Sequence, residues 1–217
     1  MQFTLIDLYC FSIAIAAILG VVRFSRIYPG FKPFVYVCWA ALLTETVCYF
    51  LVYNRGNTYI PYGIYSLAES LLITWFFREM GIFRKKPQLF MALIYFYIAA
   101  WITEAVFFNA FGKNMTWFRL VHAFIVVLLS IVLISKELSI QRTFLLKSSV
   151  FLICIAFLLY FTLAVIAGVF ELYDFGGDLA LRIKMQGIMM YTNVIVNLIY
   201  ALAVLWIPQR LRYSLPY

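Results

Sequence analysis

Three glutamates lie inside long apolar stretches of the sequence that contain no other charge. Glu69 stands in the run YGIYSLAESLLITWFF at 62–77, and Glu45 and Glu104 lie in two neighbouring runs. A charged side chain at the centre of a helix in lipid costs about 3 kcal/mol on insertion scales, so three unpaired glutamates would cost roughly 10 kcal/mol. We therefore expect these side chains to face other helices, where they pair, bind a cation or carry a proton.

Other polar residues recur at helical spacing in the later apolar stretches. Arg119 and His122 are three residues apart, and Asn193 and Asn197 are four apart, so each pair shares one face of a helix. Counted from the helix ends, these residues and the glutamates fall in one depth range, which predicts a shared polar cavity. The candidate ligand-binding residues are Glu45, Glu69, Glu104, Arg119, His122, Asn193 and Asn197.

The charge balance of this set indicates what the cavity binds. Three carboxylates face one reachable arginine, Arg119, and the uncompensated negative charge favours a cationic ligand, a metal ion or protons. A purely structural role is the alternative, in which Glu69 or Glu104 pairs with the arginine and hydrogen-bonds to the histidine. Buried polar groups do hold membrane helices together in this way. The residues alone leave both interpretations open.

Sequence motifs for a cofactor or for catalysis are absent. The sequence contains no glycine-rich phosphate loop, no GxSxG and no HExxH, and its one histidine, His122, cannot build a multi-histidine hydrolase site. We therefore expect no cofactor and no catalytic residues, and an enzyme is the less favoured class. A metal site stays open as an alternative, because carboxylates with an imidazole suit several divalent ions.

The composition is that of a polytopic membrane protein. Of the 217 residues, 66% are hydrophobic and 12% charged, and the mean hydropathy is +0.97. No soluble domain of this size needs so much apolar surface. A bilayer core about 30 Å thick takes roughly 20 helical residues to cross. We predict an all-α integral membrane protein, one transmembrane domain over 1–217, with seven spanning helices at 3–22, 34–53, 62–77, 89–109, 117–135, 149–170 and 188–207.

The basic residues are distributed unequally between the two sides of this predicted bundle. One side holds twelve of the 17, namely Arg23, Arg26, Lys32, Arg78, Arg84, Lys85, Lys86, Lys136, Arg142, Lys147, Arg210 and Arg212. The other side holds Arg55, Lys113, Arg119, Arg182 and Lys184. Because basic loops stay in the cytoplasm, the pattern predicts an outside N-terminus and a cytoplasmic C-terminus in a plasma or bacterial inner membrane.

The net charge of +8 follows from this topology and does not indicate nucleic-acid binding. The basic residues are divided among short loops, and no soluble domain is predicted that could hold a duplex. The densest cluster, Arg84, Lys85 and Lys86, is expected to attract anionic lipid modestly. The expected partners are the bilayer, a small cationic ligand or protons, and either a second copy of the chain or a separate signalling protein.

A short internal repeat is a further hypothesis. The pattern AAxxTExV occurs at 40–47 and again at 99–106, and each copy is followed by a glycine-containing turn and a helix with one strongly polar residue. Those residues are Glu69 and His122. The unit would be a helical hairpin repeated in one orientation, and chance similarity between apolar helices is the competing explanation.

Three functions from different classes remain compatible with the sequence. A small carrier would take up a cationic solute or protons through the glutamates, and this hypothesis leads. A receptor or sensor subunit would bind a ligand in the same cavity and signal through a separate partner. A lipid-modifying intramembrane enzyme is the third, and the absence of a nucleophile motif counts against it.

Overall fold

The computed structural model of the chain describes residues 11–108, 110, 112–140, 147–173 and 179–208. This part contains seven α-helices and no strand. The helices are α1 (Ala14–Arg23), α2 (Lys32–Tyr53), α3 (Tyr59–Glu79), α4 (Pro87–Ile102), α5 (Thr116–Ile140), α6 (Ser149–Tyr173) and α7 (Leu179–Trp206). A 3₁₀ turn (Pro29–Phe31) precedes α2, and α4 continues into a π-helical turn (Thr103–Phe107).

Five helical segments are long and apolar enough to cross a membrane. They are Pro29–Tyr53, Pro87–Phe107, Thr116–Ser139, Ser149–Leu172 and Lys184–Trp206. The all-helical class and the multi-pass membrane character predicted from the sequence are thereby confirmed. The described part of α1 is shorter, and α3 is less apolar because it carries Ser66, Glu69, Ser70 and Thr74. Most of the predicted span 3–22 precedes α1, and residues 1–10 lie outside the described part.

Local sequence explains where several helices begin and end. Pro33 and Pro87 lie in the first turns of α2 and α4, where a missing N–H has no intrahelical partner to lose. The loops after α3 and α4 contain Gly81 (φ +81°) and Gly112 (φ +89°), a backbone conformation that residues with a Cβ adopt rarely. These turns reverse the chain within a few residues, so consecutive helices pack as antiparallel neighbours.

Six of the helices form a closed ring. In order around it, α1 packs on α2, α2 on α3, α3 on α5, α5 on α6, α6 on α7, and α7 back on α1. Helix α4 lies outside this ring, against α3 and α5. The ring therefore encloses a central space that α4 supports from behind without being one of its walls.

A cluster of aromatic rings fills the centre of the ring at one end. Phe34 from α2, Phe76 from α3 and Phe157 from α6 are fully buried, with ring centroids 6.0 to 6.2 Å apart. Tyr200 from α7 packs edge-on against Phe34 and Phe157, at 5.2 and 5.9 Å. Aromatic pairs in this geometry stabilise the packing beyond the area they bury. The cluster closes that end of the central space.

Within the ring, helix α1 is fixed to its neighbours α7 and α2 by side chains that bond to backbone carbonyls. Arg23 donates to the carbonyl oxygens of Val204, Leu205 and Ile207, which are the free acceptors at the end of α7. A cation at a helix C-terminus also interacts favourably with the helix dipole. On the other neighbour, Trp39 of α2 donates to the Ala17 carbonyl at 3.0 Å.

Candidate functional site

A cavity of about 450 Å³ occupies the centre of the ring. Its walls come from α2, α3, α5, α6 and α7, and it opens at the end where α2 and α6 finish and α3 and α5 start. Six of the seven residues predicted from the sequence line it, namely Glu45, Glu69, Arg119, His122, Asn193 and Asn197. The seventh, Glu104, does not.

Glu69 and His122 face each other across the cavity from α3 and α5. The Glu69 Oε2 lies 3.8 Å from the His122 Nε2, and the two side chains are only 15% and 3% exposed. The other carboxylate oxygen, Oε1, accepts a hydrogen bond from the Tyr65 hydroxyl at 2.8 Å. Glu69 therefore keeps one oxygen directed into the cavity with no hydrogen bond from a described residue, and no lysine or arginine of the described chain pairs with it.

The His122 ring is tightly packed, although its Nε2 has no hydrogen-bond partner among the described residues. Its ring packs against Tyr97, Phe118 and Phe161 with centroids 5.3 to 6.3 Å apart, and Nδ1 lies 3.5 Å from the Tyr97 hydroxyl. Its buried Nε2 has no hydrogen-bond partner among the described residues. A buried polar atom without a partner costs roughly 1–3 kcal/mol. A ligand that donates to or accepts from Nε2 would remove this cost.

Glu45 provides the second carboxylate of the cavity from α2. It is half-buried, and its Oε2 accepts a hydrogen bond from the Tyr62 hydroxyl at 3.1 Å. Tyr62 lies in the first turns of α3, so this contact joins the two helices near the opening. The two carboxylates, Glu45 and Glu69, thus reach the same space from adjacent helices.

The two asparagines of α7 line the opposite wall and differ in their contacts. Asn197 is buried and donates to the Ser12 hydroxyl at 2.7 Å, which ties α7 to the segment before α1. Asn193 is half-buried and makes no hydrogen bond within the described residues. Its amide is available to a ligand as both donor and acceptor.

The opening is bordered by the exposed side chains of Arg119 and Glu171, which Asn114 joins through hydrogen bonds. Arg119 donates to the Asn114 side chain at 3.0 Å, and Asn114 in turn donates to Glu171. Lys113 and Asn114 both line the cavity from the loop that precedes α5. Across the opening, Asn57 donates to the Gly112 carbonyl at 2.8 Å and joins two of the connecting loops.

Arg119 does not neutralise the buried carboxylates by direct contact. It acts electrostatically on Glu69 and Glu104, but forms an ion pair with neither in the described structure. The purely structural alternative predicted an ion pair of Arg119 with Glu69 or Glu104, and the described structure contains neither pair. Its guanidinium stays at the opening, hydrogen-bonded to the neutral side-chain amide of Asn114.

Glu104 lies apart from the cavity and caps a helix. Its two oxygens accept the backbone N–H groups of Trp117 and Phe118 at 3.1 and 2.5 Å, in the first turn of α5. Four N–H groups at a helix start lack intrahelical partners, and a carboxylate there also interacts favourably with the helix dipole. Glu104 belongs to the π-helical turn that extends α4, so it reaches α5 from outside the ring.

Two tyrosines of the site, Tyr65 and Tyr160, were not singled out from the sequence. Tyr65 lies four residues before Glu69, so helical spacing alone could have indicated its contact with that carboxylate. Tyr160 and Tyr200 line the cavity from α6 and α7. Tyr160 stands in a largely apolar helix, and no sequence pattern distinguishes it from a packing residue, whereas Tyr200 lies three residues after Asn197 on the same helical face.

The arrangement can hold a small cation and can transfer protons. Two carboxylates, an unsatisfied imidazole nitrogen and several hydroxyl groups surround the space, and tyrosine rings offer faces to a cationic group. Within the described residues, no group of three or more histidine, cysteine, aspartate or glutamate side chains is placed to hold a metal ion. Comparison of the chain with known protein families, curated proteins and solved structures gives no match.

Proposed function

We propose that this protein is a multi-pass membrane carrier that takes a small cationic solute, or protons, into its central cavity. The observation that carries the proposal is the pair formed by Glu69 and His122. A carboxylate that is only 15% exposed faces a buried imidazole nitrogen with no hydrogen-bond partner among the described residues, inside a space of about 450 Å³ that opens at one end. Buried ionisable groups in membrane proteins are costly, and they mark ion pathways or proton relays.

The size of the cavity limits the solute to a small one. Ligand cavities of about 300–1,000 Å³ accommodate small molecules. Glu69 lies deeper in the cavity than Glu45, whose contact with Tyr62 is near the opening, and the cationic side chains of Lys113 and Arg119 lie at the opening itself. An ammonium group would therefore bind near the carboxylates, with tyrosine ring faces beside it.

The proposal includes seven spanning helices with the N-terminus and the cavity opening outside. Helix α3 spans in this arrangement despite its lower hydropathy, because Ser66, Ser70 and Thr74 are buried against other helices and Glu69 lines the cavity. The basic loops at the closed end of the bundle support a cytoplasmic location for that end. In intact cells, a membrane-impermeant thiol reagent should modify a cysteine placed at Lys113, and should leave one placed at Lys85 unmodified. Modification of the Lys85 position alone would reverse the orientation.

The site itself is tested by ligand-dependent thermal stability of the purified protein. The panel consists of monovalent and divalent cations and small primary, tertiary and quaternary amines, and the variant is Glu69→Gln. At a concentration a hundred times its Kd, a ligand stabilises the folded state by about 2.7 kcal/mol. We expect one class of ligand to raise the unfolding midpoint of the wild type and to lose this effect in E69Q.

Glu79→Gln is the matched control, because Glu79 is an exposed carboxylate at the end of the same helix and does not line the cavity. E79Q should respond to the ligand as the wild type does. If E69Q gives no folded protein while E79Q folds normally, Glu69 is a structural residue. A flat response of the wild type across the whole panel would also count against the proposal.

One observation favours a second function, that of a receptor subunit. The aromatic cluster of Phe34, Phe76, Phe157 and Tyr200 closes the inner end of the cavity with fully packed side chains. A carrier must open this barrier during its cycle, whereas a receptor subunit can bind and release at one side. Proteoliposomes separate the two functions, because a carrier moves the labelled ligand into the lumen and a receptor subunit only binds it.

A further inference from the structure

A second cavity, of about 500 Å³, lies at the closed end of the bundle. It is formed by the end of α3, the loop to α4, the first turns of α4 and the last turns of α5. Its lining residues of interest are Arg78, Arg84 and Lys136, which are basic, and Phe83, Phe90 and Met91, which are apolar. This cavity is separate from the central one and plays no part in the proposed function.

The basic side chains of this cavity are not neutralised by the protein. Arg78, Arg84 and Lys136 form no ion pair within the described structure. The single carboxylate in the lining, Glu79, accepts a hydrogen bond from the Trp75 indole at 3.0 Å. Three cations and one carboxylate leave a net positive site that favours an anion.

Two of the cations are held in place toward the cavity. The Arg78 guanidinium lies over the Phe90 ring, 4.7 Å from its centroid, and Lys136 donates to the Met80 carbonyl at 2.9 Å. Gly81 leaves room for this lysine, because a Cβ there would lie 3.1 Å from Nζ. The N-terminus of α4, at Pro87, also borders the cavity and adds the positive end of a helix dipole.

The position of the cavity indicates where the anion comes from. Phe83 forms a buried apolar base, and Phe90 and Met91 continue along the outer helix α4, whose large apolar side chains are exposed. An anionic head group would thus bind the cations while its acyl chain follows the apolar surface of α4. Basic pockets between membrane helices bind phospholipid head groups in this way.

We infer that this cavity binds the phosphate group of an anionic phospholipid. Of the three basic residues at 84–86, only Arg84 lines the cavity, and Lys85 and Lys86 do not. Lys85 is an exposed cation adjacent in sequence to Arg84 and serves as its matched control. Arg84→Gln and Lys85→Gln change the net charge equally, so they separate a defined site from general attraction to a charged surface.

The test measures phospholipid binding to purified protein in neutral detergent, by native mass spectrometry and by the thermal unfolding midpoint. Phosphatidylglycerol should bind more tightly than phosphatidylcholine, and Arg84→Gln should weaken that binding roughly fivefold. Lys85→Gln should bind as the wild type does. Arg78→Gln provides a second variant, with a loss of similar size expected.

Two outcomes would overturn the inference. Equal losses in R84Q and K85Q would show that phosphatidylglycerol senses only overall charge. If inorganic phosphate or soluble glycerol phosphate raised the midpoint as much as the lipid at equal concentration, the ligand would be a free anion. The two proposals can fail separately, because the two cavities share no lining residue. Glu69→Gln changes only the central cavity, and Arg84→Gln changes only the second one.

Discussion

Glu104 and Glu69 are both carboxylates in apolar helices, and the protein satisfies them differently. Glu104 accepts two backbone N–H groups from the start of α5 and is 5% exposed. Glu69 accepts one hydroxyl from its own helix and faces the unsatisfied Nε2 of His122 at 3.8 Å. Both oxygens of Glu104 already accept hydrogen bonds from backbone N–H groups, whereas a carboxylate oxygen that faces open space can still bind a ligand.

Burial alone does not distinguish these two carboxylates, because their contacts differ although both are largely enclosed. Both residues would cost several kcal/mol if left unpaired in lipid, and both therefore need partners. In Glu104 those partners are the donors of a helix start, which the protein must satisfy in any case. In Glu69 one oxygen accepts from the Tyr65 hydroxyl, and no described residue donates a hydrogen bond to the other.

The largest expected effect is the loss of stability in Glu104→Ala. This substitution leaves the N–H groups of Trp117 and Phe118 without an acceptor, and we expect a destabilisation of about 2 kcal/mol. The measurement is the thermal unfolding midpoint of the purified protein without ligand. Glu104→Gln, which keeps one acceptor oxygen, should lose about half as much. Glu69→Ala should cost less than about 1 kcal/mol; a loss as large as that of E104A would remove the distinction between the two carboxylates.

A smaller change in stability is expected for His122→Phe. The substitution replaces the imidazole by an apolar ring among Tyr97, Phe118 and Phe161, which removes the unsatisfied Nε2 and also the 3.5 Å contact of Nδ1 with the Tyr97 hydroxyl. Removing a buried nitrogen that lacks a partner is neutral or stabilising and offsets the loss of that long contact, so we expect a change within about 1 kcal/mol. The affinity for the compound found for the wild type, obtained from ligand-dependent stabilisation, should weaken at least about tenfold, the factor for about 1.4 kcal/mol.

Ser130→Ala is the control for this variant, because Ser130 also lies on α5, is fully buried, and has an unsatisfied hydroxyl away from the central cavity. S130A should be neutral or slightly stabilising and should bind the ligand as the wild type does. If H122F kept full ligand binding, the unsatisfied nitrogen would have no part in the site.

The two copies of AAxxTExV, at 40–47 and 99–106, have the same local contacts but place their glutamates differently. In both, the threonine bonds back to the carbonyl four residues earlier at 2.8 Å, through Thr44 and Thr103. Both glutamates then reach the beginning of the following helix, Glu45 to the Tyr62 hydroxyl and Glu104 to backbone N–H groups. The local pattern is shared, but α4 changes to a π-helical turn at Thr103. Glu104 therefore accepts hydrogen bonds from backbone N–H groups, whereas Glu45 accepts one from a side chain.

Much of the site was predictable because lipid makes charge placement costly. Apolar runs of helical length indicate membrane helices, and a charge within such a run must face the interior. That argument selected Glu45, Glu69, Arg119 and His122, helical spacing added Asn193 and Asn197 of α7, and all six line the central cavity. The spacing of residues within each helix was sufficient for this, since a helical face is a local property.

The order of the helices in space was not predictable, and it determined the remaining features. Only the packed structure places α4 outside the ring, which removes Glu104 from the cavity and makes it a cap for α5. The same packing brings Tyr160 and Tyr200 to the cavity wall and joins α3, α4 and α5 around the second, basic cavity. Sequence fixes which face of a helix is polar, because that depends on neighbouring residues. Which partner this face meets depends on the packing of the whole bundle, which no single helix encodes.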